Sequence, residues 1–276
     1  MSFSVNTNTG AQVALQYLNA TQGQLDMTQS RINSGLKVAS AKDDGAIYAI
    51  AQNQRGSVAG YQSVISSLNN GSSAIDVALS AGQSISDLLI QLKQKALAAA
   101  DPSIDTASRQ ALNANFTALR DQISTIVKNA VFNNFNLVDG STTKVQALAS
   151  SDGARRITTQ AQNMSLSGSI VTITKTASIS TQAKASALIA TVQASLTNVN
   201  SALAKLSSGA AKFSIQANFT QKLADTLTAG IGNLVDANMA QESARLQSLQ
   251  VKQQLGVQAL SIANQAPQTI LSLFGR

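Results

Sequence analysis

Positions spaced alternately four and three residues apart stay apolar over long stretches of this chain. From Ala185 they read Ala185, Ile189, Val192, Leu196, Val199, Leu203, Leu206, Ala210, Phe213, Ala217, Thr220, Ala224, Leu227, Ile231 and Leu234, and only Thr220 is polar. A 3.5-residue repeat sustained for about seven heptads predicts one long helix that packs lengthwise against others. At about 1.5 Å per residue it would run for roughly 75 Å, more than the width of a compact domain of this size, so an elongated molecule is expected.

The same spacing runs from Tyr61 through Ile65, Leu68, Ser72, Ile75, Leu79, Gly82 and Ser86 to Leu89, and again through Leu112, Phe116, Leu119, Ile123, Ile126 and Ala130. Its phase carries through Asn69, Asn70 and Gly71, which alone would read as a turn. One helix is therefore predicted across them, at a glycine cost of about 1 kcal/mol. Asp101 and Pro102 predict a stop and a restart, because proline suits a first helical turn and not an interior. Three such helices side by side predict a bundle. From about 131 to 182 the pattern breaks into Ser, Thr, Asn and Gly, and "SIVTITKTAS", Ser169 to Ser178, alternates as a strand does. The fold class expected is mainly α, an elongated helical bundle of coiled-coil character with a small β-containing tip at about 131–182.

Both ends repeat the heptad separately. Ala11, Leu15, Leu18, Gln22, Leu25, Gln29, Ile32 and Leu36 form an N-terminal seam; Leu246, Leu249, Gln253, Gly256 and Leu260 form a C-terminal stripe, with Val251, Leu255 and Ile262 on another face. A helix apolar on two faces cannot satisfy both with one partner, and each buried aliphatic side chain contributes about 1.5 to 3 kcal/mol. The ends are therefore expected to drive polymerisation, with Leu15, Leu18, Leu25, Ile32, Leu246, Leu249, Val251, Leu255, Leu260 and Ile262 as candidate subunit-interface residues.

Between the N-terminal seam and the next helix, "SGLKVASAKDDGAIYAIAQ" reads as a joint. Ser34 and Gly35 stop a helix, and Arg31 and Lys37 sit where positive charge favours a helix C-terminus. Ser40 with Asp43 matches a capping box, and Asp43 with Asp44 places negative charge in the next first turn. A catalytic pair is disfavoured, because neighbouring carboxylates on a helix point about 100° apart. Tyr17, Tyr48 and Tyr61 fall within apolar patterns and are expected to pack.

Composition removes most chemistry. With no cysteine and no histidine among 276 residues there is no disulfide and no thiolate nucleophile, and the commonest metal ligand and commonest general base are missing, so neither an enzyme nor a cofactor is expected. The net charge is +7, but the basic residues are scattered and Arg155 with Arg156 is the one adjacent pair, which argues against nucleic acid as a partner. "MSFSVNTNTG" lacks the basic and apolar regions of a secretory signal, and no run approaches the ~18 to 20 apolar residues of a membrane helix. No membrane insertion is expected, and export would use another route.

"VNTNTGAQVALQYLN" at Val5 to Asn19, "RINSGLKVASAKDDGAIYAIAQNQRG" at Arg31 to Gly56 and "VQALSIANQAPQTILSLFGR" at Val257 to Arg276 closely resemble the two ends of bacterial flagellins, in particular the compact alphaproteobacterial type without large outer domains. The resemblance implies a filament subunit for swimming motility, secreted through the flagellar type III apparatus, with a hook-filament junction protein or another type III-exported helical protein as the alternative. It implies a discontinuous inner D0 layer of 1–42 and 235–276, a D1 rod of 43–234, and Ser40, Asp43 and Asp44 in the spoke between them. It also implies termini that fold on assembly, with Gln22, Gln29 and Gln253 hydrogen-bonded in the tube wall. The partners implied are copies of the chain or sibling flagellins, an export chaperone, a cap and hook-filament junction proteins. O-glycosylation of the hydroxyl-rich middle is a further implication, with Thr142, Thr143, Ser165, Ser167, Ser169 and Thr172 as candidates.

Overall fold

The structure is a computed structural model that describes the backbone of residues 7–274 and the side chains of residues 7–265; Val5, Asn6, Gly275 and Arg276 of the segments quoted above lie outside the described residues. Among the described residues five helices, α1 (Thr9–Ser34), α2 (Gly45–Ala100), α3 (Thr106–Asn129), α4 (Gln182–Val235) and α5 (Met239–Phe274), account for most of the length. Four short strands lie between α3 and α4: β1 (Val131–Phe132), β2 (Phe135–Asn136), β3 (Lys144–Leu148) and β4 (Arg156–Gln160). The fold is mainly helical, as the heptads predict.

Two compact units divide the chain, Met1–Gly56 with Leu227–Arg276 and Ser57–Thr226. They part inside α2 and α4, whereas the layer boundary expected at 42/43 and 234/235 follows the breaks between helices. The first turns of α2 and the last turns of α4 thus belong with the terminal helices.

In Ser57–Thr226, α2 and α4 run antiparallel. Gly71 faces Phe213, Gly82 faces Leu203, and the Lys93 ammonium donates to Gln193 Oε1 at 2.6 Å. The helix is continuous through Asn69, Asn70 and Gly71, and the reason for the glycine is now visible: Phe213 fills the space of a β-carbon. Phe213 itself is fully buried with Leu68, Ile75, Leu89, Phe116, Ile123 and Leu206 in one core shared by α2, α3 and α4. Thr220, the polar member of the long seam, is buried and donates its hydroxyl to Gln216 O at 2.8 Å, so it carries no unpaired donor.

The seams are displaced on one side. Positions Leu68, Ile75, Gly82 and Leu89 are buried as expected, but their companions are Val64, Gly71, Ala78 and Ile85, one residue before Ile65, Ser72, Leu79 and Ser86. On α4 likewise, Ser195, Ala202 and Gly209 are more buried than Leu196, Leu203 and Ala210. Small residues take several of the closest positions, where helix axes approach, and larger side chains flank them.

The restart after α2 differs in detail from expectation. Pro102 lies in the turn, and the helix begins at Thr106 behind Asp105, whose Oδ1 accepts from Ser108 N–H at 2.6 Å. The β-containing segment also departs from the expectation of a tip. Leu148 N–H donates to Ser67 Oγ, the Gln216 amide donates to Ala149 O, Thr159 presses on Gly209, and Met164 reaches Gly82. The strands therefore lie beside α2 and α4, in the position that α3 vacates at Asn129; the polar linker is held there because its buried faces, Val145 with Ala147 and Leu137 with Val138, complete the core.

"SIVTITKTAS" is not a paired strand. Val171 and Ile173 are buried and Thr172 and Thr174 exposed, as alternation predicts, but the backbone is shared between α4 and the segment just before it: Thr172 N–H donates to Ser195 Oγ at 3.0 Å and the Asn198 amide to Ile170 O at 3.3 Å, while Ile173 O and Val171 O accept from Ser167 and Gly168 N–H at 2.8 and 3.1 Å around a single parallel bridge, Leu166↔Val171. The strands that do pair are antiparallel, β1 with β2 across Asn133 and Asn134, both at positive φ as a tight hairpin turn demands, and β3 with β4 from Lys144↔Gln160 to Leu148↔Arg156. Buried Asn136 donates to Val127 O at 2.7 Å and accepts from Val138 and Asp139 N–H, tying this segment to the end of α3.

Candidate functional site

The terminal unit is built on an antiparallel pair, α1 against α5. Asn8 caps α1 by accepting from Ala11 N–H at 3.0 Å and donates to Ala263 O at 2.7 Å. Further along, Leu18 Cδ1 lies 3.2 Å from where a β-carbon on Gly256 would be, the Gln253 amide donates to Gln22 Oε1 at 2.7 Å, and Arg31 pairs with Glu242 at 3.2 Å. These four pairings fix the register end to end.

On α1 the face toward α5 is Ala11, Ala14, Leu18, Thr21, Leu25, Thr28 and Ile32. Leu18, Leu25 and Ile32 occupy it as expected, but Leu15, Gln22 and Gln29 are exposed, and the small residues Ala14, Thr21 and Thr28 replace them. Side-chain bulk misdirects the alternate positions: a close pair needs small residues there, and the larger Leu15 is left outside.

On α5 the inward stripe is Glu242, Leu246, Leu249, Gln253, Gly256 and Leu260. Val251, Leu255 and Ile262 sit on the opposite face, 54%, 58% and 69% exposed. Of the ten candidate interface residues, Leu18, Leu25, Ile32, Leu246, Leu249 and Leu260 are thus engaged between α1 and α5, while Leu15, Val251, Leu255 and Ile262 face outward. Val13, Tyr17, Met27 and Val257 join the outward set. Tyr17 is 72% exposed, which corrects its expected packing role; a 13, 17, 20, 24, 27 spacing in the sequence would have found this second stripe on α1.

The joint is a backbone clasp. Gly35 adopts φ 71°, the left-handed cap that ends α1, and its N–H donates to Arg31 O at 2.8 Å. Beside it Lys37 N–H donates to Val235 O and Ala237 N–H to Gly35 O, both at 2.8 Å, so the α1–α2 break is stitched to the α4–α5 break. The Lys37 ammonium donates to Asn233 O at 3.2 Å, placing positive charge at the C-terminus of α4 rather than of α1. No local motif announces this partner, because it lies about two hundred residues away in sequence.

Ser40, Asp43 and Asp44 all act as caps, in a corrected order. Asp43 Oδ2 accepts from Ser40 N–H at 2.8 Å, Ser40 Oγ at 3.1 Å and Ala39 N–H at 3.0 Å, closing an isolated turn before α2. Asp44, not Ser40, caps α2, with Oδ1 accepting from Ala46 and Ile47 N–H at 3.0 Å. The Ser40 backbone bond above all, aided by the Ser40 hydroxyl, Ala39 N–H and the Arg31 charge, holds the Asp43 carboxyl below the usual carboxylate range.

The six hydroxyl candidates differ in freedom. Ser165 donates to Asp139 O, Thr172 bonds Ser195 Oγ, Ser167 Oγ accepts from Lys175 N–H, and Thr142 is half-buried. Thr143 and Ser169 are exposed, and their hydroxyls make no hydrogen bond among the described residues. Among those residues there is also no cluster of three potential metal ligands, and no helix is long and apolar enough to cross a membrane.

Residues 5–143 match the bacterial flagellin N-terminal helical region and residues 189–274 the bacterial flagellin C-terminal helical region. The chain is 51% identical over 271 residues to flagellin FljK and 50% identical over 271 residues to flagellin FljM, both of Caulobacter vibrioides, with 98% of each chain covered. It is 35% identical to a flagellin of Brucella melitensis, covering 98% of this chain and 99% of that one. These matches set aside the junction-protein alternative. With two terminal helices joined in one unit, a second apolar face on each, and whole-length likeness to one kind of protein, the chain belongs to the bacterial flagellins and is a non-enzymatic structural subunit of the extracellular flagellar filament.

Proposed function

We propose that the outward stripes of α1 and α5 are the surfaces through which subunits polymerise, and that the terminal unit forms the inner layer of the filament with Ser57–Thr226 outside it. The observation that carries this is the exposure of Val251, Leu255 and Ile262 on a helix whose other face is already covered by α1. At about 1.5 to 3 kcal/mol per aliphatic side chain removed from water, a few such residues on each of two helices supply a strong drive to associate. Before assembly the same stripes need cover, which fits capture by an export chaperone, delivery to a distal cap and a base seated on hook-filament junction proteins.

Deleting residues 255–276 tests the reading, because among the described residues the core of Ser57–Thr226 includes none from α5. The truncated protein should keep a cooperative helical melt by circular dichroism and stay in the supernatant under conditions that pellet the full chain. Filaments from it would reject the proposal.

We propose further that glycosylation, where it occurs, favours Thr143 and Ser169, since their hydroxyls are exposed and uncommitted. Intact mass of filament protein against 28.5 kDa, followed by peptide mapping, tests this, and sugar confined to the bonded Ser165 or Thr172 would reject the ranking.

A further inference from the structure

Two surfaces in Ser57–Thr226 are left without partners. One is an outward stripe on α2, Asp87, Ile90, Gln94 and Leu97, spaced three, four and three apart, with Asp101 just past the helix end, where its Oδ1 accepts from Ser103 N–H and Oγ; all five are exposed. Ile90 and Leu97 are apolar, and Asp87 and Asp101 mark the two ends. Neither carboxylate forms an ion pair among the described residues. The other is a cleft of about 630 Å³ between α2 and the two hairpins, with Phe132 and Phe135 on its wall, Lys144 and Arg156 at its edge and no acidic residue lining it.

Lys144 and Arg156 fall on the same, outer face of the β3–β4 ladder, because Leu148 pairs with Arg156 and Lys144 precedes Leu148 by an even number of residues. Both are exposed, and neither has an ion-pair partner among the described residues. The cleft meets α2 between Ser63 and Ala74, so its centre lies about 37 Å along the helix from Gln94, at ~1.5 Å per residue. One continuous helix carries both surfaces, and they cannot reach each other within a chain.

We propose that the acidic, apolar stripe of one copy docks in the basic, aromatic cleft of the next. An amphipathic helix face with anchors at i and i+7 is the shape that a groove takes, with Ile90 and Leu97 against Phe132 and Phe135. Asp87 and Asp101 then meet Lys144 and Arg156, which sets the register along the groove. Because the stripe and the cleft occupy different places on one body, the contact is head to tail and propagates without closing, the geometry of a fibre. It adds a second contact, along a row of subunits, to the terminal packing proposed above, and it rests on the chain polymerising but not on which terminal residues do so.

Charge reversal tests it. Lys144→Asp with Arg156→Asp makes both surfaces acidic; Asp87→Lys with Asp101→Lys makes both basic. Each variant alone should fold with an unchanged helical melt yet show a critical concentration for filament formation at least about tenfold above wild type, since like charges now face each other. An equimolar mixture should polymerise near the wild-type concentration, alternating the two variants along the row, and so should the chain carrying all four changes. Unchanged assembly by either variant, or failure of both the mixture and the fourfold variant to recover, would overturn the proposal. The 255–276 truncation, which leaves these four residues intact, separates failure of this contact from failure of the terminal one.

Discussion

Phe213 on α4 lies over Gly71 on α2 so closely that its Cδ1 is 3.0 Å from the place a β-carbon would take. A glycine in mid-helix costs about 1 kcal/mol against alanine, and here the cost is offset because the largest ring of the seam packs against bare backbone. The relationship turns a residue that reads as a helix breaker into the point of closest approach.

Gly71→Ala is expected to destabilise the protein although it raises helix propensity. Overpacking a closed core costs about 1 to 3 kcal/mol and the propensity gain offsets at most about 1. Gly56→Ala, where a β-carbon meets nothing within 4 Å, should stabilise. Thermal melts of the two variants should shift in opposite directions; a rise for both would place Phe213 elsewhere.

Asn136 and Thr220 are both buried polar residues with opposite expectations. Asn136→Leu strands the Val138 and Asp139 N–H groups and should cost roughly 2 to 4 kcal/mol, whereas Thr220→Val removes one donor from a carbonyl already within a helix and should change stability by less than about 1 kcal/mol. Denaturant titration distinguishes them, and equal costs would contradict the assigned bonds.

Acid should act through the caps. Asp43 and Asp105 are held below the usual carboxylate range, first by the backbone bond from Ser40 and by that from Ser108 respectively. A depressed folded value means stability that is present above the unfolded carboxylate value and lost as pH falls through the folded one. Below about pH 4 the wild-type melting temperature should therefore fall more steeply than that of the Asp43→Asn, Asp105→Asn double variant. Parallel curves from about pH 7 to pH 2 would contradict the capping roles.

The Arg31–Glu242 pair closes α1 on α5 with Glu242 almost buried and its Oε2 without a partner among the described residues. Arg31→Met leaves that carboxylate uncompensated and should lower filament dissociation temperature, by the equivalent of about 1 to 3 kcal/mol given the partial exposure of Arg31. Adding Glu242→Leu should recover much of the loss. No recovery would mean that Arg31 acts through another group.

Long periodic helices, the stop at Gly35 and the two-faced character of α5 were legible because each is a local or periodic signal. The side of the seam occupied by small residues was not, because Ala14, Thr28 and Gly71 carry little hydrophobicity and earn their places through distance. Nor was the placement of 131–182 beside the helices, or the clasp of Gly35 and Lys37 with Val235 and Ala237, since both depend on partners remote in sequence. "SIVTITKTAS" shows the limit of alternation: it reports which side chains turn inward and not what satisfies the backbone between them.

A helical reconstruction of the assembled filament decides whether the outward stripes hold subunits together, by locating Val251, Leu255 and Ile262 together with Val13 and Tyr17. These side chains should be buried against neighbouring subunits in the inner wall, while Leu18, Leu25 and Leu249 stay within the α1–α5 pair of each subunit. Outward stripes left facing solvent, with subunits held together elsewhere, would contradict it.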